Sequence, residues 1–230
     1  MNKTDMIKNN IDINNRLSKL YDENTEVFLR LYEKHFHDKA PRINLFGIID
    51  EEQYNAEEST LVILKETHGW DNEDYNEGIL YRSWLRDISR DGFPEDHHIR
   101  KHPQMWYNLG RYILYCSQFL NNNNKNYNSI LDEPYSELIK AIGKCAITNV
   151  NKVRGKSSAK SEYNAMAGEP VVQETICKEI EIINPKIILF CGTNKPQMFK
   201  QKQNQIALCV YHPGARISTN KLLDRIKQQL

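Results

Sequence analysis

The sequence predicts an α/β fold of three layers: a central sheet of four parallel strands with helices on both faces, plus a helical extension at the N-terminus. Three observations predict it. Apolar runs at 60–65, 145–149, 186–191 and 206–211 have the length and near-continuous hydrophobicity of strands buried on both faces. Segments of helical period separate these runs, and alternating strands and helices build parallel sheets. The chain has 230 residues, enough for one large domain or a core with an extension.

Each element has its own signal. Leu17, Leu20, Tyr21, Val27, Phe28, Leu31 and Tyr32 recur at spacings of three and four, which predicts a helix over 14–37. Residues 1–42 are read as the extension and 43–230 as the main domain. INLFGII (43–49) reads as a short strand leading in, and LVIL (61–64) as a core strand. Residues 71–102 form a polar and aromatic insert with no clean period. PQMWYNLGRYILYCSQFL (103–120) reads as a helix with Pro103 near its start. After the asparagine-rich loop 121–128, a helix is expected over 131–144, then the strand CAITNV (145–150). EPVVQETICKEIEII (169–183) is an amphipathic helix that Asn184-Pro185 ends. The strand KIILFCG (186–192), a short helix, the strand within IALCVYHPG (206–214) and a last helix over 218–230 complete the chain.

Composition narrows the function classes. Hydrophobic content of 40% and charged content of 27% fit a globular chain rather than a disordered one. No window reaches the roughly 18 apolar residues of a membrane span, and MNKTDMIKNN lacks the apolar core of a secretory signal. A cytoplasmic location is expected. Cys116, Cys145, Cys177, Cys191 and Cys209 are widely spaced and form no CxxC, which favours reduced core thiols over disulfides or a metal cluster. Net charge is +1, but NKVRGKSSAK (151–160) holds four cations and no acid.

In open α/β sheets, ligands bind where the strands end. The four strands end on Lys65-Glu66-Thr67-His68-Gly69, on Thr148-Asn149 before the basic loop, on Gly192-Thr193-Asn194 and on Tyr211-His212-Pro213-Gly214. Taken singly, Glu66 suits a helix-cap partner, Asn149 a cap and His212 a turn. Four strands delivering polar groups to one edge suggest a pocket instead.

These ends resemble the motifs of the uracil-DNA glycosylase superfamily, in the order found in its iron–sulfur branch. ITNVNKVRG (147–155) resembles that branch's Ile-Thr-Asn-Val-Val-Lys-Cys-Arg-Pro segment. KETHG (65–69) stands where it carries Gly-Glu-Ala-Pro-Gly, NPKIILFCGT (184–193) resembles Ala-Pro-Gln-Ile-Ile-x-x-x-Gly, and VYHPGAR (210–216) the closing His-Pro-Ser motif. The likeness runs from about residue 60 to 217. It omits the N-terminal 40 residues and the 71–102 insert. It also departs from the branch: Val153 replaces a cluster cysteine and no N-terminal CxxC exists, so no iron–sulfur cluster and no other cofactor is implied. Lys65 replaces a glycine, His68 a proline, and Thr67 falls where the conventional uracil enzymes carry aspartate.

The resemblance implies a uracil-DNA glycosylase-like fold and a monofunctional glycosylase whose partner is DNA, double- or single-stranded. Such an enzyme takes its target base out of the stack into a fitted pocket. His212 is the expected donor to the base oxygen, and Glu66 the carboxylate that orients water or offsets positive charge on the sugar. Asn149 suits a pyrimidine edge because a carboxamide both donates and accepts. Thr67, His68 and Gly69 line the pocket. Trp106 is a stacking candidate, with Trp70 as competitor, although a tryptophan on an apolar helix face more often belongs to a core. Arg216 falls at the wedge position, and Lys152, Arg154 and Lys156 become backbone contacts. A salt bridge from Glu66 to Lys65 or Lys152 is the structural alternative. Lys65 leaves a lyase step open.

Gly69 falls near the place where conventional uracil enzymes exclude thymine with a tyrosine. A pocket opened there would admit a C5-substituted pyrimidine, including glucosylated hydroxymethylcytosine of the kind phages carry, and antiviral defence is one role such an enzyme would serve. Excision of plain uracil in repair, or DNA binding without catalysis on the same fold, are the competing readings. A nucleotide-processing enzyme would need a phosphate-cradling glycine loop, which the chain lacks. A metal hydrolase would draw on His68, His97, His98 and His102.

Overall fold

The computed structural model describes residues 2–37, 43–65, 81–93, 103–121, 127–153 and 160–230. Strands β1 (Gly47–Ile48), β2 (Thr60–Leu64), β3 (Ala146–Asn149), β4 (Ile187–Cys191) and β5 (Ile206–Val210) form one sheet in the order β1-β3-β2-β4-β5. The four expected strands pair in parallel, and β1 adds an antiparallel edge against β3. The sheet is therefore five-stranded and mixed, not four-stranded and parallel. The reason lies partly in a helix side chain. Asn14 donates from Nδ2 to the Ile48 carbonyl at 3.1 Å and accepts the Ile48 N–H at 2.9 Å, completing the outer edge of β1. At φ +142° Gly47 lets this helix approach, since a Cβ there would overlap Asn14 and come within 2.9 Å of Leu17 Cδ1.

Alternate residues of the central strands serve two cores. Val62, Leu64, Leu189 and Cys191 pack into one core with Trp84, Leu109, Ile142 and Leu223. Leu61, Ile63, Ile188 and Phe190 pack into the other with Leu17, Phe28, Ile176 and Ile180. Helices cover both faces. One face carries α1 (Lys3–Phe36), α6 (Lys160–Ala167) and α7 (Pro170–Ile183). The other carries α2 (Tyr81–Asp91), α3 (Gln104–Leu120), α4 (Tyr127–Leu131), α5 (Tyr135–Ile142) and α8 (Thr219–Lys227).

The helix read as an extension shares its core with the sheet. It starts at an Asn2 cap, whose side chain accepts the Asp5 N–H at 2.9 Å, and ends where His37 turns left-handed. Between those ends it buries Leu17, Tyr21, Phe28, Tyr32 and Phe36. Other elements differ from expectation for local reasons. The helix expected over 131–144 is shorter, α5 alone, because Pro134 opens it and its ring disfavours helical backbone at the residue before it; the separate α4 just before it was not expected. The short helix expected after β4 is absent, and 193–205 runs in turns and extended chain. That stretch has Met198 and Phe199 as its only large apolar residues, too few to bury a helical face. Helices α2 and α6 were not expected. All five cysteines are free thiols, and burial raises the pKa of Cys116 to about 12.

Candidate functional site

The parallel strands all end on one edge of the sheet. Pairing between β2 and β3 continues past the strands, with Val150 N–H bonded to the Leu64 carbonyl at 2.8 Å and Asn151 N–H to that of Lys65 at 2.9 Å. Lys65, Asn149, Gly192 and His212 therefore stand along one edge, in the strand order β3-β2-β4-β5. Asn149 and His212 are three strand spacings apart, about 14 Å along the backbone. Lys65 and Gly192 occupy the gap between them. Glu66, Thr67, His68 and Gly69 lie outside the described residues, as do Trp70, Arg154, Lys156 and the histidines 97, 98 and 102.

His212 sits just past β5 and is partly exposed. Its Nδ1 accepts the Gly214 N–H at 3.1 Å. In a neutral imidazole that bond assigns the ring proton to Nε2, which makes Nε2 the donor. The loop that carries it is stapled to α3. Asn108 Nδ2 donates to the Pro213 carbonyl at 2.8 Å, and the Tyr112 hydroxyl donates to the Tyr211 carbonyl at 3.1 Å. The end of β4 makes room for it: at φ +66°, Gly192 has no Cβ, and one there would stand 2.9 Å from His212 Cβ. Asn108 and Tyr112 were missed in the sequence. Their signal was a pair of hydrogen-bonding side chains four residues apart, on one face of a largely apolar helix.

Asn149 ends β3, opposite Leu64, and is fully buried. Its carbonyl accepts from Lys152 Nζ at 2.6 Å. Lys152 corrects the expectation of a phosphate contact: its side chain has no exposure. The ammonium also donates to Thr148 Oγ1 at 2.6 Å and to Glu179 Oε2 at 2.8 Å. Glu179 comes from the buried side of α7 and further accepts from the Tyr21 hydroxyl of α1 and from Thr148 Oγ1 at 2.9 Å. Phe46 and Tyr21 present their rings to the same ammonium at 5.3 and 5.7 Å. Burial lowers the Lys152 pKa while Glu179 opposes that shift, and burial beside Glu179 raises the Tyr21 phenol well above its ordinary value. A cation so enclosed cannot reach a phosphate. Its structural partner is Glu179, a residue sequence reasoning did not single out, although a carboxylate on the apolar stripe of α7 was visible.

Three further residues complete the account. Trp106 belongs to the core, where it meets Trp84 edge to face with ring centres 5.6 Å apart and is only 7% exposed. It is not placed to stack on a ligand. Val153, where the iron–sulfur branch has a cysteine, is buried and bridges Ile43. Arg216, four residues past His212, is exposed. Asn151 adds an unexpected feature at the same edge: its Oδ1 accepts the Val153 N–H at 3.0 Å, while its buried Nδ2 has no partner among the described residues. Leaving such a donor unmet costs about 1–3 kcal/mol.

Beside this edge, on the α6 and α7 side, lies a cleft of about 380 Å³. Lys65 and Val150 border it, the Gly192–Gln197 segment forms one wall, and Tyr163, Asn164 and Gln173 contribute from α6 and α7. The Tyr163 hydroxyl is 3.1 Å from Thr193 Oγ1, and Lys65 Nζ stands 5.4 Å from the Tyr163 ring centre. Among the described residues no cluster of three or more His, Cys, Asp or Glu side chains could hold a metal ion, and no helix is long and apolar enough to cross a membrane. No protein-family model, curated protein or solved structure matches the chain.

Proposed function

We propose that this protein is a monofunctional DNA glycosylase of the uracil-DNA glycosylase-like kind, excising a modified pyrimidine and leaving an abasic site. The observation that supports this best is His212. Its Nδ1 is engaged by Gly214, so Nε2 is the hydrogen-bond donor, and it stands on the same sheet edge as Asn149 and the start of the KETHG segment. In this reading, water adds to the sugar C1′ as the N-glycosidic bond breaks, and the bonding pair leaves with the base. His212 Nε2–H meets the negative charge developing on the base oxygen. A donor so placed is typically worth ~3–4 kcal/mol of barrier. Asn149 reads the base edge, and Glu66 orients the water or offsets the charge on the sugar. Arg216, exposed on the loop after His212, fills the gap left in the duplex.

The target proposed is a pyrimidine with a large C5 group, which would suit defence against phages with hypermodified cytosine. The test is an incision assay. Oligonucleotides carrying uracil, mismatched thymine, hydroxymethylcytosine or its glucosides are incubated with the protein and treated with mild alkali. Strand breaks at the modified cytosine support the reading, and breaks at uracil alone assign the enzyme to repair. DNA retention without breaks at any base, unchanged by Glu66→Ala, identifies a catalytically idle binding protein.

A further inference from the structure

We infer that Arg111 and the first turn of α8 form a site for a phosphate-type oxyanion, beside the loop that carries His212. The site stands on the charge and burial of these residues; it rests on the glycosylase reading only for the source of the phosphate, a DNA strand. Arg111 is 7% exposed, yet no carboxylate pairs with it among the described residues. Its one hydrogen bond there runs from Nη1 to Asn108 Oδ1 at 3.3 Å, and the buried Nε has no partner. A guanidinium is a fork of N–H donors that keeps its charge in folded proteins, so enclosing it with a single long bond is costly. Burial pulls its pKa down, as expected of a cation held away from water without a counter-charge.

The start of α8 meets this guanidinium at a shared acceptor. Asn108 Oδ1, which takes the Arg111 bond, also accepts from Thr219 Oγ1 at 3.5 Å, and Thr219 is the first residue of α8. Ser218 caps the helix by accepting the Lys221 N–H at 3.4 Å, but the first turn holds no acid. A helix start is the positive end of its dipole. Two sources of positive potential therefore lie together, and neither has a carboxylate to answer it among the described residues. The surroundings add to the sign: from Tyr211 to Leu223 the chain carries Arg216 and Lys221, both exposed, and no acid. The chemistry of the donors then names the ligand. Guanidinium and helix N–H groups only donate, so the ligand must accept and be anionic. Phosphate has enough oxygens to meet the guanidinium and the helix start at once, whereas a carboxylate has two.

Heat unfolding of the full chain tests this without any catalysis. Midpoints are measured in sodium phosphate, sodium acetate and sodium chloride at matched ionic strength, for the natural protein, Arg111→Met and Thr219→Asp. Phosphate is expected to raise the natural midpoint in a saturable way and to leave both variants unmoved. In chloride, Thr219→Asp is expected to unfold at a higher temperature than the natural protein, because its carboxylate supplies the missing counter-charge at the helix start. Should Arg111→Met fail to fold, Thr219→Asp decides alone. Phosphate acting no better than chloride or acetate, or acting equally on the natural protein and Thr219→Asp, overturns the inference. The source of the phosphate is read from oligonucleotide binding against salt. If it belongs to DNA, the slope of log affinity on log salt flattens by at least about 0.7 in either variant, the share of one phosphate on a single strand. An unchanged slope with phosphate stabilisation keeps the site and assigns it to a free phosphate. Stabilisation without abasic product from any base sinks the glycosylase reading and leaves the site standing. Abasic product without a phosphate effect sinks the site alone.

Discussion

The two ends of the candidate edge are held by opposite means. At the β3 end, a fully buried ion pair between Lys152 and Glu179 ties the strand terminus to α7, and Tyr21 extends the tie to α1. At the β5 end, the His212 loop is held by neutral side chains, Asn108 and Tyr112, bonded to its carbonyls. The first arrangement is rigid and unforgiving, because each partner removed strands a charge in apolar surroundings. The second is modest bond by bond and leaves the histidine partly exposed. Asn149 thus stands at the end tied by a buried charge pair, and His212 at the end held by neutral hydrogen bonds.

Substitutions can break this contrast. The largest effect is expected from Glu179→Ala, which leaves the Lys152 ammonium buried and unpaired: about 3–5 kcal/mol lost in denaturant unfolding. Replacing the pair together, as Lys152→Met with Glu179→Leu, should recover most of it, and failure to recover would show that Thr148 and Tyr21 depend on the charge itself. His212→Ala should leave unfolding nearly unchanged and slow abasic-site formation by roughly 10²–10³-fold. Asn108→Ala should cost about 1–2 kcal/mol in unfolding and slow catalysis through displacement of the His212 loop, with Tyr112→Phe the milder of the two. If Asn108→Ala proved as destabilising as Glu179→Ala, the two ends would not differ in kind.

The smallest effect concerns pH, at a pair remote from both ends. Burial would raise the Asp50 pKa, but hydrogen bonds from Arg90, Gln53 and the Glu52 N–H outweigh it and hold the carboxyl below its ordinary value. As pH falls below the ordinary carboxylate value of about 4, the unfolded chain takes up this proton first. The stability from Asp50 is therefore present above that value and lost as pH falls through the folded one. Arg90→Ala should move the acid-unfolding midpoint upward, because the Asp50 carboxyl left behind is fully buried and keeps only Gln53 and the Glu52 N–H as donors.

How much of this was legible in the sequence varied with the kind of signal. Runs such as LVIL and IILFC announce strands because strands buried on both faces need apolar side chains at every position. The polar residues beyond those runs announced the edge. Helix α2 was equally readable, since Tyr81, Trp84, Leu85 and Ile88 follow helical spacing, but the polar stretch around it hid the period. Lys152 was misread for a deeper reason: its loop is basic, and composition does not distinguish a cation facing solvent from one drawn inward by a carboxylate 27 residues later. INLFGII announced a strand at β1, but its antiparallel place at the sheet edge is completed by the Asn14 side chain, a contact across 34 residues that no local pattern contains. Pattern thus reveals elements, whereas pairing over distance decides which charged groups remain at the surface.

The Tyr21 hydroxyl reaches a carboxylate 158 positions further along the chain. During synthesis at about 5–20 residues per second, the first helix would leave the ribosome roughly 10–30 s before that partner. Through that interval Leu17, Phe28 and Tyr32 have no completed sheet to rest on, so the nascent chain presents an oily helix to whatever surrounds it. Closure of this core therefore waits on a segment made late in synthesis, because one phenol finds its acceptor there.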